Sequence, residues 1–101
     1  MNKVILLGNV GRDPRIRYVG DKAMAEFPLA TTERFNNTER TEWHNIVMWG
    51  EHAEFAENYI RKGSRLMVEG KLRTRYWEDR TAIKHTITEI YVDTFELVGR
   101  N

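Results

Sequence analysis

The chain has 101 residues, 16 Lys and Arg against 15 Asp and Glu, and a formal net charge of +1. That length allows one domain with a modest core, to which assembly could add stability. The absence of cysteine excludes a disulfide scaffold, a thiolate zinc site and a cysteine nucleophile. No apolar run reaches the roughly 20 residues of a membrane helix, and none resembles a signal peptide. We therefore expect a cytoplasmic protein.

The near-neutral total hides a segregation of charge along the chain. Residues 1–20 hold four basic and one acidic residue, residues 21–60 three basic and eight acidic, and residues 61–80 seven basic and three acidic. A protein with this distribution can present a basic face to a polyanion although its pI is mild. Charge runs can equally be ordinary solvated surface. The residues between the charges have to show whether the basic segments form a binding face.

The first third of the chain has strand patterns. Residues 3–10 are apolar and β-branched, and residues 15–19 alternate and could continue the same strand after a bulge. A second strand over residues 23–29 places Ala23, Ala25, Phe27 and Leu29 on one face. Pro28 lies on the opposite face, which indicates an edge or a bulge.

The middle of the chain predicts a loop, a strand and a helix. Residues 33–41 are polar apart from Phe35, which indicates a long flexible hairpin loop, and a third strand follows over residues 42–49. Residues 51–62 carry an apolar stripe at helical spacing, with acidic residues at the start and basic residues at the end. Gly63 follows at the position where helices usually stop.

Two long strands complete the pattern, over residues 65–77 and about 82–95. The apolar phase of the last strand slips between Ile87 and Ile90, as a bulge would make it. Three strands, one helix and two strands are typical of the oligonucleotide/oligosaccharide-binding (OB) barrel. We therefore predict an all-β, five-stranded Greek-key OB-fold barrel with one short helix between strands three and four.

Alternation along each strand separates the predicted core from the predicted surface. The inward face of the fourth strand comprises Leu66, Val68, Gly70, Leu72, Thr74 and Tyr76. Its outward face includes Arg65, Lys71, Arg73, Arg75 and Trp77. In the third strand His44, Ile46 and Met48 are predicted to face the core, which leaves Trp43, Asn45, Val47 and Trp49 outside.

All three tryptophans thus fall on outward faces beside basic residues. Stacking on an aromatic ring contributes about 1–3 kcal/mol per base and does not depend on which base is stacked. Neighbouring arginines such as Arg73 and Arg75 would meet phosphates. The pattern predicts binding to a single strand, because a duplex hides its base faces. The alternative is that a partner subunit buries these tryptophans.

Enzymatic and metal-site patterns are weak. Ser64 is the only serine and has no nearby base, and His44, His52 and His85 lack metal-ligand spacing on one helix face. Residues 8–11 are glycine-bounded but lack the Gly-Lys-Ser/Thr of a phosphate loop. We expect no catalysis, no cofactor and no metal.

Four blocks of the sequence resemble the bacterial single-stranded DNA-binding proteins, in the same order and over essentially the whole chain. They are residues 2–14, 41–44, 59–64 and 68–77. The resemblance implies an OB barrel, a homotetramer, and binding of single-stranded DNA without sequence preference in replication, recombination and repair.

The resemblance also implies roles for individual residues. The stacking positions are Phe35, Trp43, Trp49 and Trp77, and the phosphate-binding positions are Lys3, Arg17, Lys62, Arg73 and Arg75. His44 matches a histidine near a subunit contact. Glu51 departs from the pattern, because relatives often have a basic residue there, and this puts the DNA path at that point in doubt.

Relatives continue past the barrel into a Gly/Pro/Gln-rich tail whose acidic tip recruits replication and repair proteins. We expect residues 1–101 to be a single domain without that tail, so such partners are expected only if the full-length protein carries one. Alternatives within the same fold are a primosome accessory protein and an RNA-binding barrel. From another class, a protein-interaction barrel would use its outer tryptophans for subunit contacts.

Overall fold

The computed structural model describes residues 1–100, which form six strands and one helix. The elements are β1 (Val4–Val10), β2 (Arg15–Val19), β3 (Lys22–Phe35), β4 (Thr38–Trp49), α1 (Glu51–Tyr59), β5 (Ser64–Glu78) and β6 (Lys84–Arg100). The chain is mostly β with one short helix between two strands, as predicted. The prediction of five strands was wrong.

The sixth strand exists because residues 11–14 interrupt what we expected to be one bulged strand. β1 pairs antiparallel with β5, whereas β2 pairs antiparallel with β3 through a turn at Gly20, which has a positive φ of 66°. Within the interruption, the Asp13 carboxylate accepts the backbone N–H of Lys62 at 2.8 Å. This bond ties the break between β1 and β2 to the segment after α1.

All six strands belong to one sheet, in the order β1-β5-β6-β4-β3-β2. The β4–β6 pair is parallel and the others are antiparallel. The end of β1 also pairs with β3, where Asn9 meets Ala30 and Val10 meets Leu29. β1 thus contacts strands from both sides of the sheet, an arrangement consistent with an OB fold.

Pro28 lies where β3 changes partner. β2 pairs with β3 as far as Glu26, and β1 pairs with it from Leu29 onward. Because proline has no N–H to donate, it fits the junction between the two partners. The register with β4 continues through Pro28, so the structure has no bulge there.

The core lies between the inner face of the sheet and α1. Its buried residues are Val10, Ala23, Ala25, Phe27, Leu29, Ile46, Met48, Ala53, Ala56, Ile60, Leu66, Val68 and Ile90. The inward faces predicted for residues 23–29 and for Ile46 and Met48 are confirmed. Val47, predicted to be outside, is also buried, because long side chains that include Trp49 and Tyr91 surround it.

α1 ends at Tyr59, three residues earlier than predicted. Ile60 still donates its N–H to the carbonyl of Ala56 but has extended backbone angles, and the last turn has no basic residue. Gly63, with a φ of 90°, belongs to the turn into β5 and donates its N–H to Val10. Within residues 1–100, no helix has the length and apolar character needed to cross a bilayer.

The expected flexible loop over residues 33–41 is instead a regular hairpin, here called the β3–β4 arm (residues 32–41). The two strands pair up to Phe35 and Thr38. Only Asn36 and Asn37 form the turn, with φ values of 51° and 63°. Two consecutive positive φ values are what a two-residue type I′ hairpin requires, and asparagine tolerates them.

A second hairpin, the β5–β6 arm (residues 72–88), extends beyond Gly70. Leu72, Thr74 and Tyr76 were predicted to line the interior but are exposed, because no described element covers this part of β5. The bulge expected between residues 87 and 90 is also absent, since the ladder with β5 is regular there. The register shifts instead at Gly70, where β6 carries one extra residue, Asp93.

Candidate nucleic-acid interface

Strand pairing brings residues of several strands onto one surface of the sheet, here called the outer face. Paired residues share a face, and Arg73, Arg75 and Trp77 of β5 pair with Glu89, Ile87 and His85 of β6. On the other side of β6, Val47 pairs with Tyr91, so Trp49 projects from the same face of β4. On β3 the face includes Met24 and Glu26, and on β2 it includes Arg15 and Arg17.

Trp49 lies in an aromatic and cationic cluster on the outer face. Its ring centroid is 6.4 Å from that of Tyr91, and the Lys22 ammonium is 5.9 Å from the Trp49 ring. The Arg73 guanidinium lies 5.5 Å from the Tyr91 ring. Tyr91 was not among the predicted site residues, although strand alternation from Glu89 places it on this face once the partner strand is known.

Trp77 lies on the β5–β6 arm and remains 45% exposed. Its ring stacks on His85, with centroids 5.2 Å apart and planes within 18°, and the Arg75 guanidinium is 5.8 Å away. His85 Nε2 is in turn 2.8 Å from a carboxylate oxygen of Asp79. His85 was not among the predicted site residues, because its cross-strand neighbour depends on the register of the β5–β6 arm.

Asp79 organises the turn of the β5–β6 arm. One carboxylate oxygen accepts the backbone N–H groups of Thr81 and Ile83 and the hydroxyl of Thr81, at 2.7–3.0 Å. The hydrogen bonds with His85 and Thr81 hold the pKa of the Asp79 carboxyl far below its usual range. The carboxylate therefore fixes both the turn and the histidine on which Trp77 stacks.

Phe35 and Trp43 lie on and next to the β3–β4 arm and are the more exposed stacking candidates. Phe35, at the end of β3, is 78% exposed and lines an open concavity with Arg34 and Arg40. Trp43 is 62% exposed, and its ring lies against Gly11, where a Cβ atom would come within 2.5 Å of it. By strand alternation Trp43, Trp49 and Trp77 all project from the outer face, whereas Phe35 lies at the end of the β3–β4 arm.

Three of the five predicted phosphate-binding cations are already ion-paired. Lys3 lies 2.7 Å from Glu69, Arg17 3.6 Å from Glu26, and Arg75 2.9 Å from Glu89. The partner carboxylates Glu69 and Glu89 raise the pKa of Lys3 and of Arg75 respectively. Within residues 1–100, no carboxylate lies within 4.0 Å of the charged groups of Lys62 or Arg73. These pairs could not be predicted from the sequence, because in each of them the carboxylate belongs to a strand that does not contain the cation.

Two small cavities adjoin on the outer face. Both are lined by Glu26, Arg75 and Glu89. The first, of about 180 Å³, also has Arg12 and Arg15 in its wall, and the second, of about 160 Å³, has Arg17, Trp49 and Tyr91. Arg12 and Arg15 were not among the predicted site residues: Arg15 begins the separate strand β2, and Arg12 lies in the interruption before it.

The sheet order, with one short helix between two strands, is consistent with the fold that the sequence resemblance implies. The profile of the single-strand binding protein family matches residues 1–98. The chain belongs to that family. A protein named single-stranded DNA-binding protein, from Bacteroides thetaiotaomicron, is 50% identical over 107 aligned positions, which cover 98% of this chain and 66% of that protein. The chain therefore spans just under two thirds of that relative.

The structure shows the surroundings of two further residues named in the sequence analysis, His44 and Glu51. His44 on β4 is half-buried, and its Nε2 lies 2.8 Å from the hydroxyl of Thr31. Glu51 is the exposed first residue of α1, and it shares the first turn with Glu54. An acidic residue at that position interacts favourably with the helix dipole, which gives Glu51 a structural reason independent of any ligand.

Proposed function

We propose that this chain binds single-stranded DNA without sequence preference, as a non-enzymatic protein of replication, recombination and repair. The observation that carries the proposal is the outer face itself, where Trp49, Trp77 and Tyr91 lie among arginines and keep ring surface accessible. Membership of the single-strand binding protein family and the name of the 50% identical relative support it.

The proposed mechanism combines stacking with phosphate contacts. Bases stack on Phe35, Trp43, Trp49 and Trp77, each contact contributing about 1–3 kcal/mol whatever the base. The backbone of the strand follows the cations, for which we propose Lys3, Arg17, Lys62, Arg73 and Arg75. Sequence tolerance follows because neither kind of contact reads the hydrogen-bonding edge of a base.

We further propose a single OB-type barrel domain that assembles as a homotetramer. Within residues 1–100, one edge of β1 has no partner from Val4 to Gly8, and on this strand Ile5 is 62% and Leu7 47% exposed. An apolar unpaired edge favours pairing with another copy, and His44 is assigned to a subunit contact. Light scattering at several protein concentrations measures the mass directly, and a monomer throughout would contradict the assembly.

The location and protein partners are proposed on the same family grounds. We expect the protein to act in the cytoplasm. Recruitment of replication and repair proteins is expected only from a tail in the full-length protein, as sequence analysis indicated.

The decisive experiment is titration of intrinsic tryptophan fluorescence with an oligo-dT strand at low and high salt. We expect strong quenching by the single strand, weakening with salt, and little change with a duplex of equal length. Unchanged emission with an intact oligomer would assign the tryptophans to subunit contacts instead. A single-stranded RNA of equal length is the third arm, and tighter binding to it would favour the RNA-binding alternative.

A further inference from the structure

Glu89 is a buried carboxylate in the middle of the outer face. It is 3% exposed, and no other charged side chain among residues 1–99 is buried. Both of its oxygens are engaged by Arg75, through Nε at 2.9 Å and a terminal nitrogen at 3.1 Å. Arg75 itself stays half-exposed, with 49% of its side chain accessible. The pair therefore has a buried acidic end and an accessible basic end.

The surroundings leave Arg75 as the cation that Glu89 depends on. The adjoining cavities also contain Arg12, Arg15, Arg17 and Glu26. Of these, Arg17 pairs with Glu26 at 3.6 Å, and within the described chain neither Arg12 nor Arg15 approaches a carboxylate to within 4.0 Å. Arg73 lies opposite Glu89 in the β5–β6 ladder, but its guanidinium is over the Tyr91 ring and has no carboxylate of the described chain within 4.0 Å. Removing Arg75 from Glu89 would therefore leave the buried carboxylate without a cation in ion-pair contact.

A buried charge without its partner is strongly unfavourable, whereas an exposed ion pair can exchange partners at little cost. Lys3 and Arg17 belong to the second kind, because their side chains are more than half-exposed and their carboxylate partners are partly exposed. They can leave their carboxylates for a phosphate. Arg75 cannot leave Glu89 for a phosphate without leaving a buried carboxylate unpaired. The charge of its guanidinium is already balanced by that carboxylate.

We propose that Glu89 is a positioning residue: it holds the Arg75 guanidinium beside Trp77 and cancels its charge, so that Arg75 offers the bound strand a fixed planar surface and does not neutralise a phosphate. The inference rests on the proposed function and revises one assignment within it. Arg73 differs, because it lies over Tyr91 without an ion pair in the described chain and keeps its charge for the DNA backbone.

The test is the slope of log affinity for an oligo-dT strand against log salt concentration, which counts the phosphates neutralised. Loss of one such contact lowers the magnitude of the slope by about 0.7. Glu89→Gln frees the charge of Arg75 and is expected to raise the magnitude by about 0.7. The double variant Arg75→Gln/Glu89→Gln removes a neutral pair, so its slope is expected to equal that of the wild type while affinity falls about two- to fivefold at every salt concentration.

Two single variants serve as matched controls. Arg73→Gln removes an unpaired cation of the same face and is expected to lower the magnitude of the slope by about 0.7. Glu57→Gln makes the same charge change as Glu89→Gln on the exposed surface of α1 and is expected to leave the slope unchanged. If both glutamate variants raised the slope equally, the effect would reflect net charge and the inference would be wrong.

The remaining outcomes separate the inference from the proposed function. A double variant whose slope falls as in Arg73→Gln, or an unchanged slope in Glu89→Gln, overturns the role of Glu89 while leaving single-strand binding intact. A wild-type protein that does not bind the strand overturns both. Thermal melting checks folding, and if Glu89→Gln does not fold, the double variant, which leaves no unpaired charge, decides alone.

Discussion

The two halves of β5 follow the same alternation but have opposite surroundings. In residues 64–70 the inward side chains Ser64, Leu66 and Val68 are at most 1% exposed. In residues 72–78 the side chains on the same face, Leu72 and Tyr76, are 47% and 77% exposed. Gly70 separates the two halves, at one of the register shifts with β6; another lies between Arg65 and Leu66.

The difference shows that alternation identifies a face of a strand and does not identify what covers that face. α1 and the other strands cover the first half of β5, whereas the second half projects beyond the described core as part of the β5–β6 arm. Exposed aromatic residues on such an arm, such as Tyr76 and Trp77, gain less from burial within the chain by itself than core residues do. Their burial has to come from a ligand or from another subunit.

The sharpest test of the comparison replaces one leucine in each half. Leu66→Ala is expected to lower the free energy of unfolding by about 2–5 kcal/mol, since it opens a cavity in the core. Leu72→Ala, on the same face six residues later, is expected to change it by about 0.5 kcal/mol or less. Urea denaturation measures both. A large loss in Leu72→Ala would mean that another copy of the chain covers the inner face of the arm.

The boundary between the halves can be tested at Gly70. A Cβ atom there would lie 2.1 Å from the carbonyl oxygen of Tyr91, so Gly70→Ala must displace one strand of the β5–β6 pair. We expect a loss of about 1–3 kcal/mol in the free energy of unfolding. Gly99→Ala is the matched control, because its Cβ would meet nothing within 4 Å. Equal effects of the two substitutions would contradict the need for close approach at Gly70.

The β5–β6 arm is expected to contribute more to binding of single-stranded DNA than to the stability of the fold. Trp77→Ala should weaken binding of an oligo-dT strand by about 5- to 100-fold, since one stacking surface is lost, with little change in the melting temperature. Tyr59→Ala is the control, because Tyr59 is an exposed aromatic residue of α1, outside the outer face. Fluorescence anisotropy with a labelled strand measures both variants. If both variants weakened binding equally, the β5–β6 arm would have no special role in binding the strand.

The smallest expected effect concerns the turn of the β5–β6 arm. Because the pKa of Asp79 is lowered in the folded chain, its carboxylate stabilises the fold above the ordinary aspartate pKa of about 3.9, and this contribution is lost as the pH falls toward the folded-state value. Asp79→Asn should therefore be less stable than the wild type at pH 7, and the difference should shrink at pH 3. Urea denaturation at both pH values measures it, and a constant difference would exclude the carboxylate charge as the cause.

Much of the fold followed from local pattern. Apolar alternation located the inward residues Phe27, Leu29, Ile46 and Met48, and helical spacing located α1. Turn chemistry was less well predicted. Asn36-Asn37 is a compatible pair for a two-residue hairpin turn. The polar strands beside it lack the apolar alternation that predicts strands, so the sequence pattern of the β3–β4 arm predicts a loop.

The outward positions of the tryptophans followed from the sequence, whereas the ion pairs of the predicted cations did not. Trp49 and Trp77 could be placed outward because alternation within a single strand identifies the two faces of that strand. The pairing of Arg75 with Glu89 depends on the register between β5 and β6, and that of Arg17 with Glu26 depends on β2 being a separate strand. Contacts across strands are set by tertiary arrangement, which periodicity within one strand does not encode.

The pairing of β1 has a consequence for how the chain folds. The β3–β4 and β5–β6 ladders join neighbouring segments, but Val4 pairs with Gly70, 66 positions later in the sequence. Non-local pairing of this kind slows folding, so joining β1 to β5 is the expected rate-limiting step. During synthesis at about 5–20 residues per second, β1 waits roughly 3–13 s for its partner strand to be made. Throughout that interval Ile5 and Leu7 belong to an unpaired apolar segment, and this early part of the nascent chain is where aggregation would begin.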